Sequence, residues 1–172
     1  MIHSVFYYSF MQIRKAALSD AQAIADIYNE AIENTVATID TETKTVDNRK
    51  EWLNQHSEKY PVLVAEVDGK VVGFASMTRW SDRAAYDDTA EISIYISPSY
   101  HNQGIGKQLM EAIITAGKVG GLHCILSRIT QGNDKSIYLH QQFGFRTVGV
   151  LQEVGQKFGR VLDVTMMQLV YS

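Results

Sequence analysis

An alternating run of residues that ends in a glycine turn constrains the fold of this chain more than any other feature. Between residues 89 and 97, isoleucines alternate with Ser93, Tyr95 and Ser97, the period-two pattern of a half-buried strand. Pro98 ends the pattern, and Asn102-Gln103-Gly104-Ile105-Gly106 then opens a run with helical spacing. The first N–H groups of a helix lack intrahelical partners, and glycine lets a ligand approach the backbone. The element therefore predicts a phosphate-binding site at the start of this helix.

Three phosphate-binding motifs share this general form. A Walker A loop requires glycine where His101 stands and a hydroxyl residue where Gln108 stands. A dinucleotide-binding fingerprint requires glycine where Leu109 stands. The third motif is the pyrophosphate turn of acetyl-CoA N-acetyltransferases, [R/Q]-x-x-G-x-[G/A], which matches at Gly104 and Gly106 and departs only at its first position. Taken alone, the turn is also compatible with a strand–helix connection that uses glycine only for packing.

A second motif downstream favours the acetyltransferase interpretation. Asn133, Ser136, His140 and Gly144-Phe145 fit the pattern N-x-x-[A/S]-x-x-x-[Y/H]-x-x-x-G-F. With both motifs in order, the chain resembles the GNAT superfamily of N-acetyltransferases. Over residues 12–169 it is similar to the phosphinothricin and methionine sulfoximine/sulfone acetyltransferase branch. The stretches that carry this likeness are Ile27-Tyr28-Asn29, Tyr60-Pro61-Val62-Leu63-Val64, Gly73-Phe74-Ala75-Ser76, Ser136-Ile137-Tyr138-Leu139-His140 and Val154-Gly155-Gln156-Lys157-Phe158-Gly159-Arg160.

The resemblance implies a fold, an activity and an assembly. The fold is α/β (α+β), a GNAT fold with a mixed central β-sheet flanked by helices, over residues 11–172, with residues 1–10 as an N-terminal extension. The implied reaction transfers the acetyl group of acetyl-CoA to the primary amine of phosphinothricin, methionine sulfoximine or methionine sulfone, by direct attack. Family members commonly form homodimers. Two alternatives stay open: another amine acceptor (a protein N-terminus, a polyamine or an antibiotic), and a module that binds acyl-CoA without turnover.

The resemblance also assigns residues to the site. The acetyl-pantetheine arm is expected on backbone groups of Ile94, Tyr95 and Ile96, much as an added strand would pair. Asn133 is expected to touch the pantetheine side. The pyrophosphate is expected on Asn102, Gln103, Gly104, Ile105, Gly106 and Lys107. The acceptor is expected near Ala84, Ala85, Tyr86 and Glu91.

Two titratable residues are candidates for proton transfer. The acceptor amine must lose a proton before it attacks the thioester, so the Glu91 carboxylate is the predicted base, directly or through water. The alternative for Glu91 is a solvated charge at a strand edge. His140 is predicted to protonate the leaving thiolate or to organise water, and its alternative is a structural histidine. The candidates for binding an acceptor carboxylate are Arg79, Arg83, Lys157 and Arg160.

Composition excludes several function classes. The formal net charge of −3 argues against nucleic-acid binding. No apolar run approaches the roughly 20 residues that cross a membrane. The lone cysteine, Cys124, is predicted to be a buried strand residue and fits a cytoplasmic location. The histidines show no metal-ligand spacing, so no metal is expected.

Patterning along the chain predicts the remaining elements. Ser19 with Gln22 resembles a capping box that starts a first helix. Asp68-Gly69 is typical of a hairpin turn between two strands. A loop is expected at residues 34–45 and a second helix at 46–56. The other predicted strands lie at residues 122–129, 145–152 and 161–171, and a short helix lies at 134–142.

Overall fold

The structure is a computed structural model that describes residues 10–172. The predicted extension, residues 1–10, therefore lies outside the described residues except for Phe10. Seven strands are present: β1 (Met11–Lys15), β2 (Val62–Val67), β3 (Lys70–Arg79), β4 (Thr89–Ile96), β5 (Cys124–Thr130), β6 (Arg146–Lys157) and β7 (Arg160–Val170). Four α-helices accompany them: α1 (Ala21–Asn34), α2 (Val46–Asn54), α3 (Ile105–Val119) and α4 (Asp134–Gln142).

The strands form one seven-stranded sheet in the order β1-β2-β3-β4-β5-β7-β6. β4 and β5 are parallel, and the other neighbouring pairs are antiparallel. Helix α3 provides the crossover that a parallel pair requires. The prediction of a mixed sheet flanked by helices is confirmed.

Alternation along the strands gives the sheet two apolar faces. On β3, Phe74 packs with Ile24 of α1 and Trp52 of α2. Its neighbour Ala75 belongs to the larger core, which includes Leu109 of α3. Because successive strand residues point to opposite faces, α1 and α2 cover one side and α3 with α4 covers the other. A ligand that reaches both helix layers must therefore pass through the sheet.

Hydrogen bonds near the chain start correct the predicted beginning of α1. The predicted Ser19 cap is wrong, since a 3-10 turn occupies Leu18–Asp20 and α1 begins at Ala21. The Asp20 carboxylate accepts from the Ala17 N–H at 2.8 Å and pairs with Arg14 at 2.8 Å. The Arg14 hydrogen bond holds the pKa of Asp20 below its usual value. This ion pair between β1 and the turn sets where the helix starts.

One of the strand predictions is confirmed, and two others, the end of β6 and the burial of Cys124, differ from the structure. The hairpin at Asp68 and Gly69 is confirmed, with φ angles of 49° and 79°. β6, predicted to end near residue 152, continues to Lys157 and turns at Phe158 and Gly159, which also have positive φ angles. Cys124 lies in β5 as predicted but is only partly buried.

In residues 10–172, no helix has both the length and the apolarity to span a membrane.

Candidate active site

Strands β4 and β5 are paired at only one end. Their parallel pairing covers three positions and ends at Glu91, opposite Leu126. Beyond that point β4 continues to Ile96 alongside β3 alone, and β5 continues to Thr130 alongside β7 alone. The two strands therefore separate, and a gap edged by free backbone opens in the middle of the sheet.

The backbone of β4 presents hydrogen-bonding groups to this gap. Amide groups of alternate strand residues point to the same side, and the Ser97 N–H donates to a carbonyl of β3 at 2.8 Å. It follows that the backbone of Tyr95 also faces β3, whereas Ile94 and Ile96 face the gap. The Ile96 carbonyl accepts a hydrogen bond from Nε2 of His101 at 2.9 Å. Two of the three residues predicted to bind the pantetheine arm thus have backbone groups directed to the gap.

The glycine turn lies at the open end of the gap, between β4 and α3. Gly104 has a φ of 81°, and a Cβ added there would meet no atom within 4 Å. Gly106 lies against β4, since an added Cβ would be 3.3 Å from Cδ1 of Ile96. No side chain caps the N-terminus of α3, so its first N–H groups remain available. The polar side chains beside them are exposed: Asn102, Gln103 and Lys107.

A cavity of about 240 Å³ lies beside the gap, on the face of the sheet that α1 and α2 cover. Its floor consists of side chains from β3, β4 and β5, and its walls come from α1, α2 and the loop between them. The volume is below the roughly 300 Å³ typical of drug-sized pockets, so it suits a small molecule. The polar and aromatic lining residues are Tyr28, Thr38, Asp40, Arg49, Trp52, Phe74, Ser76, Thr78, Glu91, Ser93, Tyr95, Arg128 and Thr130.

An ion pair spans the point where β4 and β5 separate. Arg128 Nε and Nη2 donate to the two carboxylate oxygens of Glu91 at 2.7 and 2.6 Å, a bidentate geometry. Hydrogen bonding to this carboxylate raises the pKa of the Arg128 guanidinium. The guanidinium also lies 5.7 Å from the ring centroid of Trp80. The pair therefore holds the Glu91 carboxylate in a fixed orientation at the edge of the cavity.

Two tyrosines lie against each other at the other end of the cavity. The Tyr28 hydroxyl donates to Oδ2 of Asp40 at 3.0 Å and lies 3.0 Å from Oγ1 of Thr38. The rings of Tyr28 and Tyr95 meet edge to face, 4.9 Å apart. Burial raises the pKa of both phenols. Both hydroxyls therefore stay protonated at neutral pH, and that of Tyr28 donates a hydrogen bond to Asp40.

His140 lies on the opposite face of the sheet from this cavity. Its Nδ1 donates to the Ser136 carbonyl at 2.7 Å, and its Nε2 lies 3.0 Å from Oγ of Ser127. Ser127 and Arg128 are consecutive on β5, so their side chains point to opposite faces. Burial lowers the pKa of His140, and a neutral ring that donates through Nδ1 accepts from Ser127 through Nε2. Both ring nitrogens are thus occupied within the protein.

Comparison with known proteins agrees with this geometry. A sequence model described as "Acetyltransferase (GNAT) family" matches residues 22–145. The chain belongs to the GNAT acetyltransferase family. Relatives include the L-amino acid N-acyltransferase MnaT of Escherichia coli (strain K12), 39% identical over 92% of this chain and 93% of that protein. The L-methionine sulfoximine/L-methionine sulfone acetyltransferase of Pseudomonas paraeruginosa is 39% identical, over 91% of this chain and 92% of that protein.

A solved structure supports the same assignment. The structure of yncA from Salmonella typhimurium with its cofactor acetyl-CoA superposes with a TM-score of 0.91 at 38% identity, covering 94% of both chains. The predicted family, branch and enzyme class of the chain are confirmed.

The gap brings together most residues that the sequence assigned to the acetyltransferase site. Glu91 and the side chain of Tyr95 line the cavity, and the backbones of Ile94 and Ile96 edge the gap. The turn from Asn102 to Lys107 lies at the open end of the gap, and the Ile105 side chain is buried in the core. The binding and catalytic roles of these residues stay predictions.

Other predicted residues lie outside the cavity. The segment Ala84–Tyr86 forms an exposed 3-10 turn and does not line the cavity. Asn133 caps α4, where its Oδ1 accepts from the Ser136 N–H at 3.3 Å. Within residues 10–172, no three His, Cys, Asp or Glu side chains cluster as metal ligands would. The roles assigned to Ala84, Ala85, Tyr86, Asn133 and His140 likewise stay predictions.

The four basic residues that the sequence offers as candidates for binding an acceptor carboxylate lie outside the cavity, and their binding roles stay predictions. Arg79, Arg83, Lys157 and Arg160 do not line it, whereas Arg49 and Arg128 do. Arg79 instead pairs with Asp87, and Lys157 donates to the Thr38 carbonyl at 2.8 Å. Two signals were available: Arg49 precedes Trp52 by one helical turn, and Arg128 interrupts an apolar strand.

Proposed function

We propose that this acetyltransferase moves the acetyl group of acetyl-CoA to the primary amine of a small amino-acid-like acceptor by direct attack. The observation that carries the proposal is the gap between β4 and β5, which runs from the glycine turn to the cavity. A donor bound along one side of the sheet reaches an acceptor on the other side only through such a gap. The acceptor in the cavity and the thioester in the gap are then adjacent.

Acetyl-CoA is the donor, and the residues along the gap fit it. The pantetheine arm pairs with the backbone groups of Ile94 and Ile96 that face the gap, as an added strand would. The pyrophosphate binds at the uncapped N-terminus of α3, where the N–H groups and Lys107 offset its charge. The open surroundings of Gly104 leave room for the phosphates. Asn102, Gln103 and Asn133 are the proposed side-chain contacts.

Glu91 is the proposed base. The acceptor's ammonium loses one proton to the Glu91 carboxylate, directly or through a water molecule. The amine nitrogen then forms a bond to the acetyl carbon, and the carbon–sulfur bond breaks. The nitrogen loses its second proton as it becomes the amide, and the CoA sulfur leaves as a thiolate that takes up this proton. The pair with Arg128 orients the carboxylate and leaves lone pairs on both oxygens for the proton.

His140 is proposed to hold β5 in position beside the gap, from the opposite face of the sheet. It bonds to Ser127, the first residue of β5 beyond the pairing with β4. The hydrogen on Nδ1 is held by the Ser136 carbonyl, so Nε2 carries none to donate. This geometry supports a positioning role ahead of the proton donation that the sequence motif led us to expect.

The acceptor is proposed from the relatives and the cavity. The relatives are named for L-amino acids, methionine sulfoximine and methionine sulfone. A cavity of about 240 Å³ with charged groups of both signs suits molecules of that size and polarity. We therefore propose methionine sulfone, methionine sulfoximine or phosphinothricin as acceptors, with Ala84, Ala85 and Tyr86 at the entrance.

A homodimer is proposed from the edge strand. β6 exposes the large apolar side chains of Val148, Val150 and Val154, and the turn that follows it exposes Phe158, each more than half exposed. Such an edge normally needs cover. Lys157 of β6 also holds the Thr38 carbonyl in the cavity wall, so a partner on β6 would lie close to the site. A cytoplasmic location is proposed from the single cysteine.

Release of CoA thiol from acetyl-CoA tests the proposal. The panel contains methionine sulfone, methionine sulfoximine and phosphinothricin, with spermidine and a peptide N-terminus as competing amine classes. Release that requires one of the first three supports the proposal. Release only with spermidine or the peptide would replace the acceptor class. No release with any amine, while acetyl-CoA binds, would contradict the catalytic role.

A further inference from the structure

We propose that Arg49 is the anion-binding residue of the acceptor pocket, where its guanidinium receives an anionic oxygen group of the acceptor. This inference rests on the proposed acetyl transfer and specifies its acceptors as amines that also carry a carboxylate or phosphinate. Neither the motifs nor the turn–helix element pointed to Arg49, which lies on α2, away from both.

Arg49 carries a buried positive charge that no carboxylate of the described residues balances. Arg49 is only 8% exposed, and buried arginines are normally paired with carboxylates. Among residues 10–172, no carboxylate oxygen lies within 4.0 Å of its guanidinium, in contrast to Arg14 and Arg128. Its Nε and Nη2 donate only to the neutral Oδ1 of Asn48, at 3.2 and 2.7 Å. The charge of a guanidinium in this setting is balanced when an external anion binds to it.

The Arg49 guanidinium is accessible to a ligand in the cavity. Arg49 lines the cavity, and its Nη1 has no hydrogen-bond acceptor among the described residues. Every fully buried side-chain nitrogen and oxygen in residues 10–172 does have a partner. Nη1 is therefore open to the cavity, and a ligand oxygen there meets an unused donor.

Two aromatic rings hold the Arg49 guanidinium in a fixed orientation. The guanidinium carbon lies 4.9 Å from the ring centroid of Trp52 and 5.4 Å from that of Tyr28. Aromatic faces hold a guanidinium through cation–π contact and leave its N–H edge free for a planar anion. Arg49 is thus fixed in place before any ligand binds, which lowers the entropy lost on binding.

The other charged groups of the cavity are already paired. Arg128 is bound by Glu91 through two hydrogen bonds. Asp40 accepts from the Tyr28 hydroxyl and pairs with Lys44 at 3.1 Å. Arg49 contacts the ring of Tyr28, which meets the ring of Tyr95 near the C-terminal end of β4, whereas Glu91 lies near the start of that strand. An acceptor with its anion on Arg49 therefore directs its amine toward Glu91.

Steady-state kinetics of Arg49→Gln test the proposal with three acceptors. Methionine sulfone carries one anion, its methyl ester carries none, and phosphinothricin carries a second anion on its side chain. With Arg49→Gln, KM for an acid acceptor rises about 30-fold or more, as expected for the loss of charge-assisted hydrogen bonds, while kcat changes little. The ester is unaffected. Arg49→Lys keeps the charge without the fork and shows an intermediate loss. The control is Lys50→Gln, one residue along the same helix and exposed.

The acceptors also distinguish which anion is bound. An equal loss for methionine sulfone and phosphinothricin places the α-carboxylate on Arg49, and a loss confined to phosphinothricin places the phosphinate there. Either result supports the proposal. Equal loss for the acid and its ester would overturn it, because the effect would then be independent of charge.

A binding measurement separates this inference from the proposed reaction. Trp52 fluorescence in a Trp80→Phe background reports binding of N-acetylmethionine sulfone and of its methyl ester without turnover, because Trp52 contacts Arg49 and only two tryptophans are present. Tighter binding of the acid that disappears in Arg49→Gln supports the inference even if no acetyl transfer is found. Equal binding of acid and ester before the substitution would refute it, whatever the outcome of the transfer assay.

Discussion

Gly104→Ala should weaken acetyl-CoA binding through the backbone alone. Gly104 has a φ of 81°, and the added methyl group would meet no atom within 4 Å, so no steric clash is expected. An L-residue in the left-handed region costs about 1–2 kcal/mol. For a chain of 172 residues this corresponds to a fall of roughly 2–8 °C in melting temperature. Relief of the strain reorients the first N–H groups of α3, and KM for acetyl-CoA should rise about tenfold or more, equivalent to about 1.4 kcal/mol.

Gly121→Ala is the matched control for this prediction. Gly121 has a φ of 88° and equally open surroundings, but it follows the C-terminal end of α3. The 15 residues of this helix, about 22 Å in length, separate it from Gly104. Both variants should lose similar stability in thermal denaturation, and only Gly104→Ala should change KM for acetyl-CoA. Equal KM values for the two variants would refute the assignment of the pyrophosphate to this turn.

Three further predictions concern the base, the buried histidine and the edge strand. Glu91→Gln should lower kcat about 100-fold with little change in KM for acetyl-CoA, because the proton acceptor is lost. Burial lowers the pKa of His140 below 6.5, so the unfolded chain takes up a proton at a higher pH than the folded chain does. The free energy of unfolding therefore falls as the pH drops below about 6.5. His140→Gln should reduce this pH-dependent fall in the free energy of unfolding, measured by urea denaturation. Burial also lowers the pKa of His56, which should account for part of the fall that remains. Val150→Lys on β6 should shift a dimer to monomer in sedimentation.

Each of these predictions has a control and a contradicting result. Glu111→Gln, exposed on α3, should keep full activity. A kcat for Glu91→Gln within threefold of the parent would remove Glu91 as the base. An unchanged pH profile in His140→Gln would show that His140 is not the titrating group. A dimer that survives Val150→Lys, while Lys50→Gln behaves like the parent, would move the interface away from β6.

Local chemistry made part of the site predictable from sequence. The glycine turn was recognised because its backbone angles and close packing require glycine, and those requirements are visible in the residues themselves. The alternation in β4 likewise fixed which side chains share a face. Both features depend on neighbours in the chain, so a single sequence carries them.

Long-range contacts determine what the sequence did not predict. The gap exists because β5 leaves β4 at Leu126 and stays paired with β7, where Ser127 faces Met167, forty residues further along the chain. The burial of Arg49 depends on Tyr28 of another helix. Residue spacing contains neither contact, and for that reason the candidates for binding the acceptor carboxylate did not include Arg49. The position of His140 on the far face is set by its bond to Ser127 in the same way.

The most direct test of the account measures both products of one reaction. The purified protein is incubated with acetyl-CoA and methionine sulfone, and free CoA and N-acetylmethionine sulfone are quantified in the same sample by mass spectrometry. The account predicts equal amounts of the two products, with no CoA release when the amine is omitted. CoA released without an equal amount of the N-acetyl product would show hydrolysis instead of transfer and would contradict the central claim.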